Sequence, residues 1–349
     1  MRIPFFKMHV CGNHFVFVDE LGREPLPDDF ASFLARRITD PYTGVGADGL
    51  IRLGGDLPSE GSVVSMRLLE PDGVESLSCG NGLLCAGHYM ACHYGIRNLV
   101  FQTQIPTGNP VAVASGETGG RRWIRMPAPA PLPSFLFCPE AWPALSPKNG
   151  KLEFHLHSLL NAFSKDNTVE SKLYFKASPI FTGEPHLVVH VSDLEPQRLG
   201  TLLFSRKPGQ KPSLGDAGSY LVYRMGKQVM RQYPGLFPHG VNLMVARVSP
   251  EGDKVFYRSF ERGNLRETLA CGTGALACAA VLGRGKSVTV IPEMARRHLG
   301  ATGYTVIRSK KEWHLYGDPE ILWEGVWVEP GQERLPETEE EGFCNIVQL

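Results

Sequence analysis

The chain repeats itself, and this constrains its fold more than any other feature. Glu75-Ser-Leu-Ser-Cys79-Gly-Asn-Gly-Leu-Leu84 lies against Glu267-Thr-Leu-Ala-Cys271-Gly-Thr-Gly-Ala-Leu276, with Glu, Leu, Cys, both Gly and the last Leu shared. Upstream, Met66-Arg67-Leu-Leu-Glu70 faces Tyr257-Arg258-Ser-Phe-Glu261, with one residue inserted before the second cysteine. Gly12-Asn13-His14-Phe15 resembles Gly183-Glu184-Pro185-His186, and Gly44-Val45-Gly46 faces Gly240-Val241-Asn242. Matched segments in the same order indicate a duplicated domain.

Each copy reads the same way. A strand (15–18; 187–191) is followed by an extended apolar segment (62–69; 254–260), a turn and the Cys-Gly motif. Helices are then expected at 80–94 and 272–282, where Ala, Leu, Cys and Met dominate as in buried helices, with strands at 99–103 and 287–291 after them. The expected fold class is α+β, two pseudo-symmetric domains facing each other across a cleft. The Ser, Gly and Glu cluster at 116–121 places the boundary there, giving domains at 1–118 and 119–330. Pro-rich 127–151 reads as loop, insertions are placed near 127–172 and 205–228, and 331–349 reads as a frayed acidic tail.

Lys plus Arg and Asp plus Glu are 36 each. That balance gives no basic surplus for nucleic acid and no charged patch for a membrane surface. No run approaches a bilayer span and the first residues carry no signal-like apolar stretch, so a cytoplasmic protein is expected. The 8 cysteines are too scattered for a disulfide framework and show no zinc-knuckle spacing, so no metal is expected. Cys85, Cys92 and Cys278 fall on the apolar helices and read as packing residues.

Chemistry concentrates at the two Cys-Gly-x-Gly starts. The first N–H groups of a helix have no internal partner and sit at the positive end of its dipole, where they bind a carboxylate and lower a thiol pKa. Duplication sets Cys79 and Cys271 on opposite sides of one cleft. Inverting an amino acid at Cα needs a base on one face and a proton donor on the other, and a thiolate with a thiol can exchange those roles. The carboxylate gains charge as the α-proton leaves, so preorganised donors lower the barrier. No lysine motif for a pyridoxal Schiff base and no nucleotide fingerprint appears, so no cofactor is expected.

These strings, with Gly44-Val-Gly-Ala-Asp-Gly49, Asp72-Gly73-x-Glu75 and Glu261-Arg262-Gly263, resemble the diaminopimelate epimerase family. The resemblance implies a curved sheet around a central helix in each domain, and epimerisation of LL-diaminopimelate to meso-diaminopimelate for lysine and peptidoglycan biosynthesis. It implies Cys79 and Cys271 as the acid/base pair, and His186 and Glu261 as residues that tune them. Backbone groups of Gly80, Asn81, Gly272 and Thr273 would hold the reacting carboxylate, while Asn13, Asn242 and Arg262 would contact substrate. Glu75 and Glu267 read better as groups that cap or orient the turn before each helix. Expected partners are limited to a small amino-acid substrate, with a homodimer as an allowed assembly.

Three departures from that family stand out. Glu70 and Glu184 replace asparagines that bind the distal end of diaminopimelate, and Leu84 stands where the family often has arginine. With Glu261, three carboxylates would face one guanidinium, Arg262. That excess favours a distal ammonium or guanidinium, so lysine, ornithine, arginine or histidine is the alternative substrate class. A proline-racemase-like enzyme also uses paired cysteines, but the Glu-Arg-Gly and Glu-Thr-Leu-Ala-Cys strings disfavour it. Outside catalysis, the alternatives are an amino-acid-binding paralogue or a thiol redox switch.

Overall fold

A computed structural model describes residues 1–103, 110–145, 147–156, 173–204 and 217–328. Residues 205–216 of the expected insertion and the whole expected acidic tail, 331–349, lie outside the described residues.

The repeat appears strand for strand. Arg2–Val10 pairs antiparallel with Asn13–Leu21, which runs parallel to Leu50–Gly55. That strand turns back against Val63–Leu69, which takes Glu75–Ser76 antiparallel and Leu99–Thr103 in parallel. A parallel return needs a crossover, and helix Gly80–Tyr94 supplies it. In the second half Leu173–Phe181, Pro185–His190, Asn242–Val248, Lys254–Glu261, Arg266–Thr268 and Ser287–Pro292 follow the same sequence of antiparallel and parallel pairings. Helix Gly272–Leu282 makes the matching crossover.

Two further ladders sew the halves together. Val111–Thr118 leads into Arg121–Pro127, just as Tyr304–Arg308 leads into Glu312–Gly317, and these two end strands pair with each other. The last described strand, Pro319–Val328, pairs along Arg2–Val10. The boundary expected at 118/119 thus falls in a hairpin turn through which the sheet continues.

Both crossover helices are apolar on nearly every side. Leu83, Cys85, Ala86 and Met90 join Ala275, Ala277, Cys278 and Ala279 in one core shared by the halves. A second core lies under helix Ala217–Gln232, where Leu221, Val222, Met225 and Val229 pack on Leu243 and Phe260. A third lies under helix Asp28–Ile38 through Ala31, Leu34, Ala35 and Ile38, spaced for one helical face. No helix among the described residues is long and apolar enough to cross a membrane.

Two readings of single residues are corrected, the second in part. Cys92 is exposed, because its position turns away from the core that buries Cys85 and Cys278. Of the two roles expected for Glu75 and Glu267, capping is absent, while bonds that orient the turn before each helix are present. Each glutamate takes a two-pronged bond from the matched arginine across its hairpin, Arg67 Nε to Glu75 Oε1 at 3.0 Å and Arg258 Nε to Glu267 Oε1 at 2.6 Å. Planar guanidinium and carboxylate match as forks, and cross-strand neighbours are closer than the helix start.

Candidate active site

Cys79 and Cys271 occupy equivalent places to within a few degrees. Each is the residue before its helix, at φ −143°, ψ 112° and φ −139°, ψ 115°. Each Sγ accepts a 3.3 Å bond from the N–H three residues on, Gly82 for Cys79 and Gly274 for Cys271. The first intrahelical bonds come from Leu83 and Ala275, so the N–H groups of Gly80, Asn81, Gly272 and Thr273 precede the helical ladder. The Tyr257 hydroxyl fixes the second start, accepting from Cys271 N at 2.9 Å and donating to Cys271 O at 2.8 Å.

The two helix starts press on each other. A Cβ on Gly272 would stand 2.8 Å from Asn81 Oδ1 and 2.9 Å from Asn81 N, and one on Gly80 would stand 3.1 Å from the Gly272 carbonyl carbon. Only glycine allows the backbones this close. The contact sets Cys79 and Cys271 on one small cavity of about 30 Å³. Asn13, Glu70, Glu184, Asn242, Glu261, Arg262, Gly272 and Thr273 also line it. Gly80 and Asn81 lie behind this lining. The Asn81 amide donates to Asn13 Oδ1 at 2.8 Å and its oxygen accepts from the Tyr304 hydroxyl at 2.7 Å. His186 is fully buried, and among the described residues neither ring nitrogen has a hydrogen-bond partner.

Several lining residues were not singled out from sequence. Asp48 accepts from Asn13 Nδ2 at 2.8 Å and from His14 N at 3.0 Å, and it forms an ion pair with Arg266. Phe15, Leu68, Ser78, Gly263 and Asn264 complete the wall. Asp48 lay inside the quoted Gly-Ala-Asp-Gly string, and its bond to Asn13 was the missing signal.

The electrostatics change two expectations. Both thiols are pushed well up, first by burial and then by the Glu261 charge, and the N–H bonds at the helix starts only partly offset this. The lowering expected from the helix N-termini is therefore outweighed by desolvation. The carboxylates are not three free charges against one guanidinium. Arg262 Nη2 meets Glu184 Oε2 at 2.6 Å, and Leu77 N and Ser78 N donate to Glu184 Oε1 at 2.9 and 3.1 Å. Burial lifts Glu70 to about 7 and Glu261 to about 8, while the hydroxyls of Ser76 and Thr268 donate to them. Burial, with Arg262 nearby, holds the His186 ring neutral by lowering its pKa to about 3.

Comparison with known proteins agrees with this arrangement. Residues 5–118 match the family model described as diaminopimelate epimerase. A diaminopimelate epimerase of Bacillus cereus is 29% identical over 334 residues, covering 93% of this chain and 97% of that protein. One of Bacillus anthracis is 28% identical over 336 residues, with the same two coverages of 93% and 97%. Among solved structures, a hydroxyproline epimerase from Agrobacterium vitis superposes with a TM-score of 0.56 at 14% identity, over 93% of this chain and 92% of its own. A probable proline racemase from Agrobacterium radiobacter does so with a TM-score of 0.52 at 14% identity, over 96% and 94%. The likeness to the diaminopimelate epimerases supports an isomerase, and the two solved structures share this chain's fold. Over residues 5–118, and at 28–29% identity along most of its length, the chain is similar to diaminopimelate epimerases.

Proposed function

We propose that the protein inverts the α-carbon of an amino acid with Cys79 and Cys271 as its acid/base pair, and that it converts LL-diaminopimelate to meso-diaminopimelate. One observation carries the reading: two thiols, each the residue before an apolar helix, line one cavity from opposite halves of a repeat. The curated relatives' name supports the substrate. In turnover one sulfur, as thiolate, takes the Cα proton while the other thiol delivers its proton to the opposite face. The pair holds one proton throughout, and the reverse reaction starts with that proton on the other sulfur. Negative charge shifts from Cα into the substrate carboxylate, where the N–H groups of Gly272 and Thr273 stand ready to stabilise it. A thiol with a raised pKa is a strong base once ionised, and the substrate's ammonium favours that ionisation by its charge. Glu261, acting on both sulfurs, biases which one keeps the proton. Cys79→Ser and Cys271→Ser should each reduce inversion by about 10²–10⁴-fold, the usual contribution of a general acid or base. Near wild-type turnover in either variant, followed by chiral chromatography, would rule out the pair. Activity that appears only after a reductant is added would instead favour the redox-switch alternative.

A second reading, a basic amino acid as substrate, is favoured by the bonding of Arg262. Its Nη2 is held by Glu184 and its Nη1 donates to His239 O at 2.6 Å. The guanidinium is thereby turned from a distal carboxylate, while Glu70 offers its own. Restoring asparagine in the Glu70→Asn/Glu184→Asn double variant should raise kcat/KM for diaminopimelate relative to lysine or arginine by about tenfold, at 1–3 kcal/mol per well-placed polar contact. An unchanged ratio in a coupled assay over both substrates would remove this reading.

A further inference from the structure

The cavity between the cysteines shares Glu70, Arg262 and Gly263 with a larger one of about 750 Å³, and the Glu70 carboxyl packs on Gly263 where the two meet. Its far wall is built from segments the inversion chemistry does not use. Phe135 and Leu136 come from the Pro-rich stretch after strand Arg121–Pro127, and Pro238 and His239 from the turn before Asn242. The wall is anchored. Leu136 is buried and its N–H bonds Pro133 O at 3.0 Å, Cys138 N bonds Leu236 O at 3.0 Å, and Arg262 ties His239 to the neck.

The charges of this outer chamber sort themselves by partner. Glu75 is taken by Arg67, and Arg262 by Glu184. Asp72 Oδ1 accepts only from its own turn, at Val74 N, and Glu70 from Ser76. Glu70 and Asp72 thus have no side-chain ion pair among the described residues, although Arg36 Nη1 donates to the Asp72 carbonyl at 3.1 Å, and they share the lining with apolar Phe135, Leu136, Pro238 and Leu77. Cavities of roughly 300–1,000 Å³ hold ligands of drug size, far more than the side-chain end of a free amino acid.

We propose that the outer chamber receives the distal part of an elongated substrate: an amino acid whose side chain carries an apolar stem through the neck at Glu70 and ends in a cation beside Asp72. This rests on the inversion of an amino acid proposed above and names the class of substrate. The carboxylates supply charge complementarity, and Phe135 and Leu136 cover the stem.

The test measures α-proton exchange in D₂O for lysine, diaminopimelate and Nε-glycyl-lysine, whose terminal ammonium lies farther from Cα. The wild type should show a kcat/KM for Nε-glycyl-lysine at least tenfold above lysine. Asp72→Asn/Phe135→Ala, in which Asn keeps the turn acceptor, should shrink that preference to about twofold. Equal values in the wild type, or a preference that survives the double substitution, overturns the chamber's role. Absence of exchange on every compound would instead fail the inversion reading. Calorimetric binding of Nε-glycyl-lysine then decides the chamber: a Kd at least fivefold weaker in the double variant supports it, and an equal Kd overturns it.

Discussion

At the scale of single residues, the cavity is a contest between burial and bonding. Cys79 and Cys271 each receive an N–H bond, yet desolvation and Glu261 push both thiols up. The same desolvation lifts Glu261 to about 8 and Glu70 to about 7, from an ordinary 4.5. Carboxyls with raised folded-state values bind protons more tightly in the native state. Their stabilisation is complete below about pH 4.5 and is lost as pH rises through about 7 to 8. Thermal midpoints should accordingly fall across that window, and less steeply in Glu261→Gln, which stays neutral. Calorimetric melts across the window check this, and an equal slope in the two proteins would contradict the assignment. The cysteines were legible because the repeat marked them twice. Asp48 and Arg266 were not, since their meaning lies in an ion pair between residues 218 apart in sequence.

At the scale of elements, the two cysteine helices are held tip to tip by glycine. Gly272→Ala would drive a methyl to 2.9 Å from the Asn81 backbone nitrogen, which cannot rotate away as a side chain can. Overpacking of this kind costs about 1–3 kcal/mol. The variant should lose that much stability in urea unfolding and most of its turnover, since Asn81 also orients Asn13. Wild-type stability and turnover together would show that the helix starts have slack. Both helices were readable to the residue from their Cys-Gly starts and apolar runs. Helix Asp28–Ile38 was not read, although its acidic first turn, basic last turn and spaced Ala31, Leu34, Ala35 and Ile38 mark one. Its N-cap position is Pro27, which makes no side-chain cap bond, so the usual start signal is missing. Most of helix Ala217–Gln232 fell in a stretch set aside as insertion, although its apolar face packs on the strands that follow it, at Leu243 and Phe260.

At the scale of the whole molecule, duplication accounts for the layout, and two ladders between the halves account for its closure. Glu312–Gly317 on Arg121–Pro127 and Pro319–Val328 on Arg2–Val10 join what the repeat alone would leave as separate units. Those ladders carry no sequence signal of their own, because register between distant strands is set by three-dimensional packing. Their effect is to fix two helix N-termini, and so two sulfurs, against a single cavity. The central claim is that each sulfur serves one face of Cα, and its most direct test is isotope placement. Enantiopure diaminopimelate and the basic amino acids are incubated with the enzyme in D₂O, and both isomers are isolated during the first few per cent of reaction. The account predicts solvent deuterium at Cα of the inverted isomer and none in the recovered starting isomer. Deuterium entering both isomers at equal rates would mean one base working both faces, and would contradict it.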